Sequence, residues 1–384
     1  MKEKLKTLTI SSGESLASIE TKFAQLNDSD KYKLRFPAAL NTKGAMGIEV
    51  AVIQLLGSWL ATGSYRKVFH SYQKTSSSDF KKLCSSLYGI AALALADEIW
   101  DSKGNIQSRA KVLAEAVDTI ENLRIRKFSS CFKSRYFAIP CIKKPTYDRE
   151  FEMPIYNNGE VIDSAAFYKL IQKILGDQIG GSSRFPRLDE AIGIHDLSDL
   201  LWEVFKNTHD HGRADSLGNN LPLNFRGLII QQQDLSDGFL DSWCGENPTE
   251  AQEQFRSNWT GFGKNRHILD LSVIDFGVGF VELAKDKAKG NDDIDVLLKC
   301  LEQGWTRLQR KNRGDGLTKV LNNVNRHSGW LRIRTGNLLL EKAFSSSSEV
   351  NISRKDIRKL NHSVMGTSVH ISIPLNRNVL HTGG

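Results

Sequence analysis

The stretch Glu203-Val-Phe-Lys-Asn207-Thr-His-Asp210-His211-Gly212 decides how this chain is read. At about 100° per residue on a helix, Glu203, Asn207 and Asp210 fall within roughly 60° of one another. One helix face therefore carries a carboxylate, a carboxamide and a second carboxylate. Leu197, Leu200, Leu201, Val204 and Thr208 fall on the adjacent, mostly apolar face, which is suited to burial. Acids beside an amide that can reach Mg²⁺ suggest a site for a metal-bound phosphate. Glu and Asn are also common on solvated helix faces, so the stretch takes its meaning from the blocks that follow it.

Downstream, residues 223–233 read as a strand, and 234–265 as a long polar, Gly-containing excursion with a short helix near 249–258. A strongly apolar strand, 267–274, delivers Asp275-Phe-Gly277-Val-Gly279. A carboxylate at a strand end can accept an exocyclic amine, and the glycines behind it let a ligand approach backbone. Residues 281–313 hold Lys285, Lys287, Lys289, Arg310, Lys311 and Arg313 among their cations, and a helix near 292–303. They lead into Arg313-Gly314-Asp315-Gly316-Leu317, which opens a helix running to 327. Glycines at a helix start offer free N–H groups to phosphate oxygens, and neighbouring cations add charge-assisted bonds. A solvated charged loop with a Gly-rich turn is the competing reading there. Strands 331–335 and 338–343 pair as a hairpin across Gly336-Asn337. Residues 344–363 read as an exposed polar insertion, and 366–374 as a final alternating strand that stops at Pro374.

Upstream, strands at 32–36 and 67–72 alternate with a nearly all-apolar, buried helix at 46–61 and helices at 78–100 and 107–123. Pro140 pushes the strand 136–142 to a sheet edge. Asn157-Asn-Gly159 signals a hairpin turn, and 163–175 an amphipathic helix capped by Asp163 or Ser164. Gly180-Gly181-Ser182-Ser183 reads as a linker, dividing residues 1–180 from 181–384. No catalytic constellation is visible in residues 1–180. Their strand–helix alternation around a buried helix resembles a sulfate-transporter/anti-sigma-antagonist (STAS) domain, which implies a sensor, partner or assembly module.

At 384 residues, 40% hydrophobic and 25% charged, the chain has the composition of an ordinary soluble globular protein of two or three domains. No signal peptide and no apolar run long enough to span a bilayer are visible, which makes the cytoplasm the expected location and excludes a membrane role. Five cysteines without CxxC spacing read as reduced thiols. The net charge of +8 permits an acidic partner or nucleic acid, but its cations are scattered among acids, so a solvated basic surface is preferred.

Four blocks stand in order: Glu203/Asn207/Asp210, Asp275/Gly277/Gly279, Gly314/Gly316/Leu317 and Gly366/Thr367. Over roughly residues 190–376 the chain resembles the GHKL ATPase superfamily of gyrase, heat-shock 90 chaperones, sensor histidine kinases and mismatch-repair ATPases. The resemblance implies an α/β sandwich: a mixed, mainly antiparallel sheet with helices on one side and ATP held between helices and a lid. It implies that Asn207 coordinates Mg²⁺, and that Asp275 binds the adenine amine with support from Thr367 and a water. It further implies that Asp210 lines the pocket, that Gly277 and Gly279 allow close approach, and that Arg313, Gly314, Gly316 and Leu317 close over the phosphates.

A carboxylate at position 203 could take a proton from water or from a protein hydroxyl, which the Asn usual in histidine kinases could not. The expected function is a slow ATPase switch with a protein partner or homodimer. A serine/threonine kinase of anti-sigma type and a non-hydrolysing ATP sensor are the alternatives. His195, in the first turn of the Glu203 helix, is read as part of the helix start, not as a phospho-accepting His box.

Overall fold

The computed structural model describes residues 5–26, 30–72, 77–133, 135–179, 193–215, 217–260, 267–285, 292–301, 316–346 and 350–375. The chain is mixed α/β. Its first third follows the expected alternation: β1 (Lys6–Thr9), α1 (Leu16–Leu26), β2 (Tyr32–Phe36), α2 (Ile48–Ala61), β3 (Val68–Ser71), α3 (Ser77–Leu83), α4 (Leu87–Leu95) and β4 (Glu98–Trp100). The four strands form a parallel sheet in chain order, finished by the antiparallel edge strand β5 (Ile106–Gln107). Helices α1, α2 and α4 pack side by side, as crossovers of one hand stepping in one direction require. Helix α2 is apolar almost all round and buried from Ile48 to Trp59. The single helix expected over 78–100 is two helices and a strand. Ser86 caps α4 by accepting the Gly89 N–H at 3.3 Å, and the chain leaves the helix at Ala96 to form β4. Helix α5 (Arg109–Arg124) then packs on α3 and α4.

A second sheet has six strands, all antiparallel, in the order β12-β13-β11-β10-β6-β7. Its early members are β6 (Tyr136–Lys144) and β7 (Tyr147–Asp148). The small hairpin β8 (Tyr156–Asn157) and β9 (Glu160–Val161) follows, turning through Asn158 and Gly159 at positive φ as the Asn-Gly signal requires. Then come α6 (Ser164–Ile174), capped by Asp163, and α7 (Ile194–His211). Next are β10 (Asn224–Asp234), α8 (Asp237–Cys244), α9 (Glu250–Thr260), β11 (His267–Asp275), α10 (Phe280–Ala284), α11 (Asp293–Leu301), α12 (Gly316–Arg326), β12 (Trp330–Ala343) and β13 (Ile357–Pro374). Strand β6 pairs along β10, with Pro140 opposite Gly227, so this sheet draws strands from both sides of residue 180. The proposed linker glycines and serines at 180–183 lie outside the described residues.

The two faces of the second sheet differ in character. Leu269, Leu271 and Val273 on β11 share one face with Val369, Ile371 and Ile373 on β13, and with Asp275 and Thr367. Helix α7 covers this face, flanked by α6 and α12. Asp270, Ser272, Ser368, His370 and Ser372 share the opposite face. Read from the sequence, their alternation belongs to a strand with one solvated side. Instead α2 covers them, and α4 covers the same face farther along, over β10 and β6. The Met46 N–H donates to Asp270 at 2.7 Å, and Ser272 and Ser372 hydroxyls bond the two nitrogens of His370 at 2.8 Å each. A Cβ on Gly47 would lie 3.2 Å from His370, and one on Gly227 would lie 2.7 Å from Leu87. Helices therefore lie on both faces of this sheet, where helices on one side were expected.

Two further expectations change. The Gly336-Asn337 signal is not a hairpin but a bulge within one long strand, β12, where Gly336 takes φ +52° and the register with β13 shifts. Part of the insertion read as exposed, 357–363, belongs to β13, with Ile357 opposite Leu340 and Lys359 opposite Leu338. The described part of the excursion after β10 is largely helical, and it buries Trp243, Phe255 and Trp259 against Trp330 and one another. Among the described residues no helix is long and apolar enough to cross a membrane, and the five cysteines are free thiols.

Candidate functional site

Helix α7 buries the expected stripe, Leu197, Leu200, Leu201, Val204 and Thr208, with Phe205 and His209 beside it. That burial leaves Glu203, Asn207 and Asp210 half-buried along the stripe's margin. The Asn207 carboxamide has no hydrogen-bond partner among the described residues. Asp210 is held by Lys206, one turn before it, at 2.6 Å. Lys206 is a cation at the site that the spacing argument did not select. His195 packs as a ring, stacked on Tyr168 of α6 at 4.1 Å between centroids.

The helix ends where β11 ends. A Cβ built on Gly212, the residue after α7, would lie 2.7 Å from both Cβ and Cγ of Asp275. One built on Gly277 would lie 2.7 Å from the Gly212 Cα. Two glycines therefore permit the contact between α7 and the Asp275-Phe276-Gly277 elbow. The Gly212 carbonyl is held by the Asn224 carboxamide at 2.9 Å.

Asp275 is 4% exposed and accepts the Gly277 N–H at 2.8 Å. Burial pushes its carboxyl up to about 7, against the opposing pull of the Gly277 and Thr367 amides and the Arg226 guanidinium. Thr367 is its register partner on β13. The Thr367 hydroxyl bonds the Thr335 hydroxyl at 3.0 Å, and Thr335 accepts the Phe280 N–H at 3.1 Å. Gly279, at φ +89°, sits over Thr335, where a Cβ would come within 2.7 Å of the hydroxyl. Gly366, at φ +68°, lies so close to the Asp275 carbonyl that no side chain fits. The elbow, the Thr335–Thr367 pair and the end of α7 therefore meet on one face of the sheet.

Behind Asp275 stands a buried polar cluster that the sequence reading missed. Arg226, its register partner on β10, is fully buried and paired with Glu150 and the Tyr156 hydroxyl. It also reaches His209 Nδ1 at 3.2 Å and the Asn224 carboxamide oxygen at 3.3 Å. Burial, together with Arg213, Arg226 and Lys206, holds His209 down at about 3, so it is neutral. Glu150 and Tyr156 come from before residue 180, a region read as free of site residues. Only the alternation of Asn224-Phe-Arg226 with apolar neighbours hinted that Arg226 would point inward.

Arg313 and Gly314 lie outside the described residues, while Gly316 and Leu317 open α12. The other end of α12 is anchored on the first turn of α7, where the Asn323 carboxamide donates to the Asp196 carbonyl at 3.2 Å and Arg326 pairs with the Asp196 carboxylate at 2.5 Å. No three His, Cys, Asp or Glu side chains gather as a metal cluster among the described residues. Compared with family models, curated proteins and solved structures, the chain matches none.

Proposed function

We propose that this chain is a Mg-ATP-binding protein that uses a GHKL-type domain as a nucleotide-dependent switch, with slow hydrolysis in which Glu203 is the general base. The observation that carries this reading is the contact of Gly212 with Asp275 and Gly277. It brings the acid–amide helix and the aspartate–glycine elbow to one place, from segments more than sixty positions apart in sequence. A buried carboxyl flanked by glycines suits a purine amine, and the ring edge would approach over Gly277 and Gly279. The carboxamide of Asn207 suits Mg²⁺, which keeps most of its waters and leans on substrate phosphates more than on a protein cage. Bound there, the ion would neutralise phosphate charge. The residue roles on this reading are those of a binder and a base: Asp275 and Thr367 hold the base edge, Asp210 lines the pocket with Lys206, and Glu203 takes a proton from water. Helix α12, anchored at Asp196, would present its glycine end, Gly316 and Leu317, toward the phosphates together with Arg313 and Gly314.

The test is incubation of the purified protein with Mg-ATP and tracking of the γ-phosphate. Slow release to water is expected, with Glu203→Ala keeping ATP binding and losing release. Release that survives this substitution removes the role given to Glu203. Label on a protein hydroxyl would favour the kinase alternative, and binding without either outcome the sensor.

A further inference from the structure

Helix α2 belongs to the parallel-sheet module, yet it lies directly beneath the aspartate–glycine elbow. It is nearly all apolar; Glu49, near its start, accepts the Leu87 N–H at 3.0 Å and the Tyr136 hydroxyl at 2.9 Å, while Gln54 and Ser58 are aimed at the strands beside the elbow. Gln54 is fully buried. Its Nε2 donates to the Arg334 carbonyl at 3.0 Å and to the Met365 carbonyl at 3.4 Å, and its Oε1 accepts the Ser368 hydroxyl at 2.8 Å. Ser58, one turn on, accepts the Met365 N–H at 2.9 Å. Between them Gly57 faces Phe276, and a Cβ there would come within 2.6 Å of the ring.

These contacts have a common destination. Arg334 precedes Thr335, Met365 precedes Gly366, and Ser368 follows Thr367. Gln54 thus clamps β12 and β13 next to the Thr335–Thr367 pair, from the opposite face of the sheet. Gly57 sets how far Phe276 can sink, and Phe276 is the residue between Asp275 and Gly277. An apolar helix has no reason to bury a carboxamide in its middle unless every one of its hydrogen bonds is met, and here both ends of the amide are used.

We infer that α2 supports the floor of the purine subsite from the far side of the sheet, and that Gln54, Gly57 and Ser58 are positioning residues that fix the Asp275 carboxyl and the Thr335–Thr367 pair against the exocyclic amine of an adenine base. The inference rests on the ATP reading given above. It makes the N-terminal module part of the site instead of an appendage: a shift of α2 moves the elbow from below.

The experiment compares ATP with ITP, which lacks the exocyclic amine, by calorimetry and competition on the full chain. Wild-type protein is expected to prefer ATP. Gln54→Met, which keeps volume and removes all three hydrogen bonds, and Gly57→Ala, which presses on Phe276, are each expected to cut the ATP:ITP affinity ratio by about tenfold. The structural control is Trp59→Phe. It removes the Trp59 Nε1 bond to the Tyr32 carbonyl (2.8 Å), which points to the parallel sheet, and should leave the ratio unchanged. Ratios in Gln54→Met and Gly57→Ala equal to wild type overturn the assignment, as do equal losses for both nucleotides. A wild-type chain that binds neither nucleotide overturns the ATP reading itself and the assignment with it. A wild type that binds ATP and ITP alike leaves nucleotide binding standing but removes the amine contact, and α2 with it.

Discussion

Asp275 should set how nucleotide binding responds to pH. Its carboxyl sits at about 7 because burial outweighs two backbone amides and the nearby Arg226. The ordinary value is about 3.9. The folded value therefore lies above the unfolded one, and the native state holds more protons than the unfolded chain between those limits. The stability this group contributes is complete below about 4 and falls as pH rises toward 7. A purine amine needs the charged acceptor, so binding should pull the proton off. ATP affinity is then expected to rise between pH 6 and 8, with close to one proton released, read by calorimetry in buffers of different ionisation heat. Asp275→Asn should weaken binding and flatten that profile. A wild-type profile flat over this range would show that the carboxyl does not meet the base.

At the scale of elements, the contact between α7 and the elbow depends on what is missing at Gly212. Gly212→Ala would drive a methyl into Asp275 and toward the Thr208 carbonyl, each 2.7 Å away. Either α7 backs away or the elbow turns. A cost of about 1–3 kcal/mol is expected, with a loss of ATP affinity larger than the loss of stability. Urea unfolding and calorimetry on the same variant separate the two, and stability loss without affinity loss would unlink helix and elbow.

The helix face itself was legible, because spacing of 3.6 residues fixes which side chains share a face. The elbow was legible as an acid at a strand end. What closes the site was not, since Gly212, Gly366, Thr335 and Arg226 act through partners far away in sequence. A glycine reads the same whether it makes a hairpin or a bulge, which is why Gly336-Asn337 was misassigned. A serine–histidine–serine alternation reads as solvent-facing whether water or a second module covers it. The cover over Ser368, His370 and Ser372 was therefore invisible until the two sheets were seen together.

For the whole molecule, the second tie between the modules is electrostatic. Glu20 of α1 meets Arg332 at 2.7 Å, Arg334 at 3.2 Å and His362 at 2.8 Å, all from β12 and β13. Both arginines are essentially buried. Burial alone would raise the Glu20 carboxyl, but His362, Arg332 and Arg334 together bring it down to about 2. Here the folded value lies below the ordinary 4.5, so the sign is opposite to that of Asp275. The stabilisation is fully present above about 4.5 and is lost as pH falls toward 2, on the order of 3 kcal/mol. Glu20→Ala should cost about 3 kcal/mol at neutral pH, because it takes the shared carboxylate from two buried guanidinium groups, leaving Arg332 with Glu341 at 3.5 Å and Arg334 with backbone carbonyls. It should also flatten the stability curve between pH 2 and 5, since the proton-linked part of that limb is removed with the carboxyl. Tryptophan fluorescence reports on both modules, through Trp59 and Trp100 on one side and Trp243 and Trp330 on the other. If the cluster couples the sheets, the wild-type urea transition at pH 7 should be a single step, and that of Glu20→Ala should split into two. An acid limb in Glu20→Ala as steep as in wild type would mean that other carboxylates, not this one, hold the parallel sheet module onto its partner.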